Sequence, residues 1–399
     1  MPGVLRVVWS RALPGGSPFN RMGRPIGWRW CEWEGSRLDA PADAKYWVAF
    51  HHAKFVGPAR MARLVERFGD LAVAWAAPAS SLRAVLDERS VESVLKTRAE
   101  FDPDRAWEEM ERAGIAAICL PDPRYPRLLR EVPAPPPVLY VRGALLPEDE
   151  TAVAIVGTRR STAAGREMAT NLGEGLAGTG VTVVSGLARG IDAVAHQAAL
   201  AAGGRTIAVL GSGPDVIYPP EHRHLAEQII EVGAVLSDYP PGRPPDAPNF
   251  PARNRIISGL SLGVVIVEAP ERSGALITAD FAADQGRDVF VVPGSPLAAA
   301  SAGSNRLLRD GARPVLSADD VLADLRLAGR AEAATVQQAL PLDDEERRVL
   351  SVLSAEPQHI DEVALLANLP VATVGGHLVV LELKGLAKNA GALFYARRR

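Results

Sequence analysis

Apolar residues change their period twice along this chain. From Ala44 they recur at three- and four-residue spacing through Trp47, Phe50, Phe55, Met61, Leu64, Val65 and Phe68, which predicts an amphipathic helical hairpin. Gly57-Pro58 divides the two runs and Gly69 follows the second. Pro58 suits a first helical turn, where a missing N–H costs no hydrogen bond. Short helical stretches continue to about Gly114. Ile115–Leu120 and Val138–Val141 are β-rich runs joined by a proline-rich connection. Continuous apolar runs then recur at Val153–Val156, Val181–Val184, Thr206–Leu210, Ala234–Leu236, Val264–Val267 and Val289–Val292, as in strands buried on both faces. Helical stretches alternate with them, among them Ala163–Ala177, Ala193–Ala201, His222–Val232, Arg253–Leu260, Ala275–Gln285 and Asn305–Arg309. Such alternation predicts an α/β fold, a Rossmann-like parallel sheet with right-handed crossovers.

The flanks read differently. Residues 1–43 have no clear period and are rich in Gly, Pro, Arg and Trp, so a poorly ordered extension is expected, with Met22 an alternative start. An Ala- and Gln-rich stretch predicts a linker at 326–342. Helices at Glu345–Leu353, Ile360–Ala367 and Val374–Leu383, followed by two strands around Asn389-Ala390-Gly391, describe a C-terminal winged-helix domain. The expected organisation is an extension (1–43), a helical domain (44–114), a Rossmann-like domain (115–325), a linker (326–342) and a winged-helix domain (343–399).

At 399 residues the chain exceeds what one core usually supports, in keeping with several domains. The net charge of −3 means that any basic surface must be local. Cys31 and Cys119 are far apart with no second Cys or His at ligand spacing. That argues against a disulfide framework and a zinc site, and fits a reducing cytoplasm. The sequence has no membrane-length apolar run and no secretory-type apolar segment near its start. No lysine lies between Thr97 and Leu383. The sheet domain therefore has no Walker lysine, no Schiff-base lysine and no Ser–Lys pair.

Candidate chemistry gathers at strand ends, where open α/β sheets bind ligands. Gly157-Thr158-Arg159-Arg160-Ser161, Ser185-Gly186 through Arg189-Gly190, Gly211-Ser212-Gly213 and Ser273-Gly274 each follow a strand and open a helix or loop. Glycine lets backbone approach a ligand, and helix N-termini offer free N–H groups to anions. Any one such loop is ordinary turn chemistry. Several along one edge point to an extended polyanion or a nucleotide. Arg159, Arg160, Arg189, Arg253 and Arg255 supply bidentate donors suited to phosphate, with Arg159 and Arg255 expected to stand in the loops themselves. Gly211-Ser212-Gly213 lacks the third glycine of a dinucleotide fingerprint, and Gly259-Leu260-Ser261-Leu262-Gly263 precedes a strand where a nucleophile elbow must follow one. His196, four residues after Asp192, is read as packing, Asp192 as a helix cap, and Glu268 as a residue that orders neighbouring groups rather than a general base.

The motifs "AIVGTRRST", "VVSGLARGIDAVAHQAAL", "TIAVLGSGPDVIYPPEH", "FPARNRIISG" and "APERSGALITADFAADQGRDVFVVPGS", in this order, resemble the DNA processing protein A (DprA/Smf) family over about half the chain. The resemblance implies an N-terminal helical domain of sterile-alpha-motif or helix–hairpin–helix type, a Rossmann-like core and a winged-helix tail. It further implies a protein that is not an enzyme and needs no cofactor. Such a protein binds single-stranded DNA without sequence preference, dimerises through the Rossmann domain and loads the recombinase RecA in natural transformation. Carried over by position, the DNA pocket would use Gly157, Arg159, Ser161, Ser185, Gly186, Asn254, Arg255, Ser273 and Gly274; Arg160, Arg189 and Arg253 join them on the phosphate argument. Relatives often have a basic residue after Tyr-Pro. Here Tyr218-Pro219 is followed by Pro220, leaving His222 and Arg223 as substitutes. The third winged-helix segment has only Lys384 as a basic residue, beside Glu382, so a protein-contact or dimer role is expected for it over duplex reading. The alternative is a nucleotide-processing phosphoribohydrolase-like enzyme, against which Pro293-Gly294-Ser295-Pro296 departs from the P-G-G-x-G-T pattern after its first glycine.

Overall fold

The computed structural model describes residues 43–327, 342–354, 357–383, 386–391 and 393–397. The expected extension, apart from residue 43, and most of the expected linker lie outside the described residues.

The hairpin forms as Ala44–His52 and Pro58–Phe68, with Pro58 in the first turn and Gly69 closing the second helix at φ 77°. Trp47, Phe50, Met61 and Leu64 are buried as the period requires. Phe55 is not: it falls in the turn at φ 67°, 43% exposed, under the Arg89 guanidinium. Four further helices end at Arg112. Their core continues onto one face of the strands β1 (Ala116–Cys119) and β2 (Val138–Gly143), through Ala117, Cys119, Val138 and Tyr140. Ile118, Leu139 and Val141 point to the opposite face and join the main core.

The remaining strands of the main sheet are β3 (Ala152–Val156), β4 (Thr182–Ser185), β5 (Thr206–Val209), β6 (Ala234–Ser237), β7 (Gly263–Ile266), β8 (Asp288–Val291) and β9 (Arg313–Pro314). They run in the order β1-β2-β6-β5-β4-β3-β7-β8-β9. From β6 to β9 every pairing is parallel, while β2 joins β6, and β1 joins β2, antiparallel. The strands alternate into two cores. On one face Ala154, Val156, Val184 and Ile266 meet Ile256, Ile257 and Leu276 of the helices Asn249–Gly259 and Gly274–Asp284. On the other, Val153, Ile155, Val183 and Val265 meet Leu172, Leu176, Ala195 and Ala199 of the helices Ala163–Gly178 and Ile191–Ala201. Burial on both faces explains the continuous apolar runs. The short strand β9, edge-placed as Pro314 requires, carries no such run and was not expected.

The chain builds β3 to β6 outward in one direction, then crosses back to lay β7 on the other side of β3. That reversal makes a topological switch point at the carboxyl ends of β3 and β7.

The C-terminal region has helices Asp344–Val352, Ile360–Ala367 and Val371–Leu383 and a three-stranded sheet of β10 (Gln358–His359), β12 (Phe394–Arg397) and β11 (Ala387–Gly391). Asn389-Ala390-Gly391 ends β11, so the turn lies one step later than expected. Among the described residues no single helix is long and apolar enough to cross a membrane.

Candidate nucleic-acid interface

The loops at the switch point are held by side chains that the sequence placed only approximately. After β3, the Thr158 N–H donates to the Glu268 carbonyl (2.7 Å). The Glu268 carboxylate, 5% exposed, accepts from the Thr162 N–H and hydroxyl (both 2.9 Å). Thr162 in turn caps the helix Ala163–Gly178 by accepting from Gly165 N–H. Glu268 is thus fully engaged in joining the β7 end to the β3 loop, the ordering role expected of it. A Cβ on Gly157 would stand 2.6 Å from Ile191, and one on Gly165 2.7 Å from the Glu268 carboxylate, so both glycines are set by close approach.

The loop after β4 is more constrained. Ser185 is fully buried, its hydroxyl donating to the Ile155 carbonyl (2.6 Å), so it supports the sheet instead of facing the crevice. Leu187 adopts φ 56°, unusual for a residue with a Cβ. Its side chain is buried and its carbonyl accepts from His222 Nδ1 (2.8 Å), which hold it there. Gly190 has φ 80° and lies so close to the β3 loop that a Cβ would meet the Thr158 carbonyl at 2.3 Å.

Asp192 does not cap its helix as expected: the cap position is Gly190, and the Asp192 carboxylate turns inward to accept from the Gly186 N–H (3.1 Å). Burial raises its pKa, against the pull of the Arg253 charge and backbone donors at Ala188, Gly186 and Gly157. Arg253, 4% exposed, donates to the carbonyls of Gly186 (2.8 Å) and Val209. Burial lowers its pKa to about 10, leaving it protonated at neutral pH. Arg253 is therefore a buried brace across the ends of β4 and β5. Gly186 must be glycine because a Cβ would stand 2.6 Å from that guanidinium.

The other expected residues separate into exposed and engaged groups. Arg159 and Arg160 are exposed on the β3 loop, with no carboxylate partner among the described residues. The Arg159 guanidinium lies 5.6 Å from the centre of the Phe250 ring, and Phe250 tilts against Tyr218 at 5.4 Å. The Ser161 carbonyl accepts from Arg166. Arg189 is exposed but paired with Glu221 (2.5 Å). Arg255 is not in a loop. It sits on the helix Asn249–Gly259 and is committed to Asp238 (2.6 Å) and the Ala134 carbonyl (3.1 Å). Asn254 donates to the Gly274 carbonyl, and Ser273 caps the helix Gly274–Asp284 by accepting from Ala275 N–H. His222 is held at Leu187, while Arg223 remains exposed.

Arg159, Gly186, Ala188, Arg189, Tyr218, Pro219, Phe250 and Arg253 line one shallow pocket at this edge, beside the cis Tyr218-Pro219 bond. Sequence reading missed Tyr218 and Phe250 as pocket rings. It also passed over Arg272, exposed on the β7 loop directly before Ser273-Gly274 and without a carboxylate partner among the described residues; its place in that loop was the available signal. Two side chains weighed in the sequence for acid–base or nucleophilic chemistry are both buried. His196 is fully buried on Thr206 (2.7 Å). Ser261 is fully buried, donating to the Ile257 carbonyl.

Comparison with known proteins fits this architecture. Residues 116–326 match the family described as DNA recombination-mediator protein A, and residues 332–391 the DprA winged helix domain. Protein Smf of Synechocystis is 37% identical over 90% of this chain and all of its own length. DNA processing protein DprA of Streptococcus pneumoniae is 43% identical over 56% of this chain and 79% of its own. The X-ray structure of the S. pneumoniae DNA processing protein A superposes with a TM-score of 0.64 at 35% identity, covering 70% of this chain and 97% of that one. With its switch-point sheet, its helical N-terminal region and its winged helix, the chain belongs to the DNA processing protein A (DprA/Smf) family.

Proposed function

We propose that this protein binds single-stranded DNA along the carboxyl edge of β4, β3 and β7, and does so as a binding protein without turnover. The observation that carries the reading is the pair Arg159 and Arg160, exposed at the switch point with no carboxylate partner among the described residues. Arg272 adds a third such cation on the β7 loop. Free guanidinium groups at one edge match a row of phosphates. The half-buried Phe250 ring under Arg159 favours a single strand over a duplex, because only an unpaired base can turn its face onto an aromatic ring. Ser273 and Gly274 follow Arg272 on the β7 loop, and Asn254 donates to the Gly274 carbonyl there. Ser185 and Arg253 shape it from beneath, and Arg255 anchors the helix that carries Phe250.

Recombination is the setting: the matching family is described as a recombination mediator. Within that setting we propose that the protein works as a homodimer through the sheet domain and delivers the strand to RecA in the cytoplasm. The helix Val371–Leu383 carries no lysine or arginine, its His377 is turned to Glu345, and Val371 and Val379 are exposed, which favours a protein contact over duplex reading. Fluorescence anisotropy with a labelled oligonucleotide, competed by the same sequence as single strand or duplex, tests the reading. Displacement by single strand at far lower concentration than by duplex is expected; equal competition, or no binding at low salt, would overturn it.

A further inference from the structure

Three arginines line the pocket beside Phe250, and their surroundings differ. Arg253 is buried, with the Asp192 carboxylate as an attractive charge. Arg159 has no carboxylate partner and lies over an aromatic ring. Arg189 alone is matched by a carboxylate at the rim: its Nε lies 2.5 Å from Glu221, with both side chains about half exposed at 54% and 49%. The pair is fixed in place by its backbone. Glu221 sits in a single turn, Pro220–His222, that follows the cis Tyr218-Pro219 bond. The next residue, His222, donates from Nδ1 to the carbonyl of Leu187, two residues before Arg189. The carboxylate is therefore presented to Arg189 by a short turn tied to the same loop.

We propose that Glu221 is a built-in counter-anion that occupies the phosphate seat of Arg189 and yields it only to a phosphate chain already anchored at Arg159 and Arg160. This rests on the single-stranded DNA reading above and deepens it, by assigning a residue that sets the affinity and the preference for a chain over an isolated phosphate. The physics is one of competition. An exposed ion pair is weak, so it can open. A lone phosphate must displace Glu221 unaided. A strand held at neighbouring loops presents its next phosphate at high effective concentration and can do so. Once displaced, the carboxylate stays tethered nearby, opposes the incoming charge and recruits a cation, so wild-type binding releases fewer ions than its arginine count implies.

The test compares wild type, Glu221→Gln, Arg189→Ala and the double variant by anisotropy with a single-stranded oligonucleotide at several salt concentrations, and by competition with inorganic phosphate. Glu221→Gln should tighten oligonucleotide binding about two- to fivefold at low salt. It should steepen the salt slope by about 0.7, the increment for one more phosphate on a single strand. It should also make inorganic phosphate a better competitor. On the Arg189→Ala background the same change should have little effect. Unchanged affinity and slope in Glu221→Gln would overturn the proposal, as would equal tightening with and without Arg189, which would mark a general charge effect. Wild-type binding separates the two readings: a wild type that binds while Glu221→Gln behaves identically removes only this proposal, whereas a wild type that fails to bind removes both.

Discussion

Arg159 and Arg253 are the same residue type at neighbouring points of one pocket, with opposite duties. Arg253 satisfies two buried carbonyls and stands near a buried carboxylate, so Arg253→Met should destabilise the fold by about 3 kcal/mol, read as a fall in the midpoint of chemical unfolding. Arg159→Ala removes an exposed side chain and should change stability by less than about 0.5 kcal/mol while weakening DNA binding. An equal loss of stability in both variants would refute this division. Gly190→Ala offers a second check. With φ 80° and the Thr158 carbonyl in the way, the change should cost more than about 1 kcal/mol, measured in the same unfolding assay. The sequence could nominate arginines for the crevice but could not sort them, since their fates depend on Asp238 reaching Arg255 and on carbonyls reaching Arg253. Phe250 was invisible as a site residue because an aromatic in a helix start reads first as core.

At the level of elements, the six parallel strands with continuous apolar runs were legible because burial on both faces leaves no polar alternation. Starts of helices were less so. The helix expected from Arg253 begins at Asn249, since Pro251 lies in the first turn and does not break it. The His196 and Asp192 side chains turn to separate buried partners, Thr206 and the Gly186 N–H, contacts that came only with the fold. Thr206 spends its single hydroxyl proton on the Val183 carbonyl, so His196 Nδ1 is the donor to Thr206 and its Nε2 is bare and buried. Burial lowers the pKa of His196 to about 3 and that of His51 to about 4. Both lie below the unfolded value of 6.5, so the unfolded state binds protons first. Their contribution is complete above pH 6.5 and is lost as pH falls towards 4 and 3. The slope is at most about 1.4 kcal/mol per pH unit for each group. Asp192 and Asp238, raised by burial, act in the opposite sense: their contribution is present below 3.8 and lost as pH rises through their folded values. The difference between two proteins isolates the histidine: His196→Gln, which keeps a donor for Thr206, should lose less of its thermal midpoint between pH 7 and pH 4 than wild type does. An equal change in the two proteins over that range would contradict the assignment.

For the whole molecule, a net charge of −3 has to be reconciled with the proposed polyanion site. Position offers the way: several arginines away from the crevice are neutralised by carboxylates, as in Arg205–Asp149, Arg142–Glu227 and Arg127–Glu150, whereas Arg159 and Arg160 on the β3 loop and Arg272 on the β7 loop have no such partner among the described residues. Binding governed by a few unpaired cations must weaken steeply with salt and depend on those cations individually. The direct measurement is anisotropy of a labelled single-stranded oligonucleotide over a salt series, for wild type and Arg159→Ala/Arg160→Ala. The account predicts wild-type binding that falls log-linearly with salt, and a variant that binds at least tenfold more weakly with a slope shallower by about 1.4, two phosphates at 0.7 each. Wild-type affinity and slope in the variant would place the DNA elsewhere on the molecule and contradict the central claim.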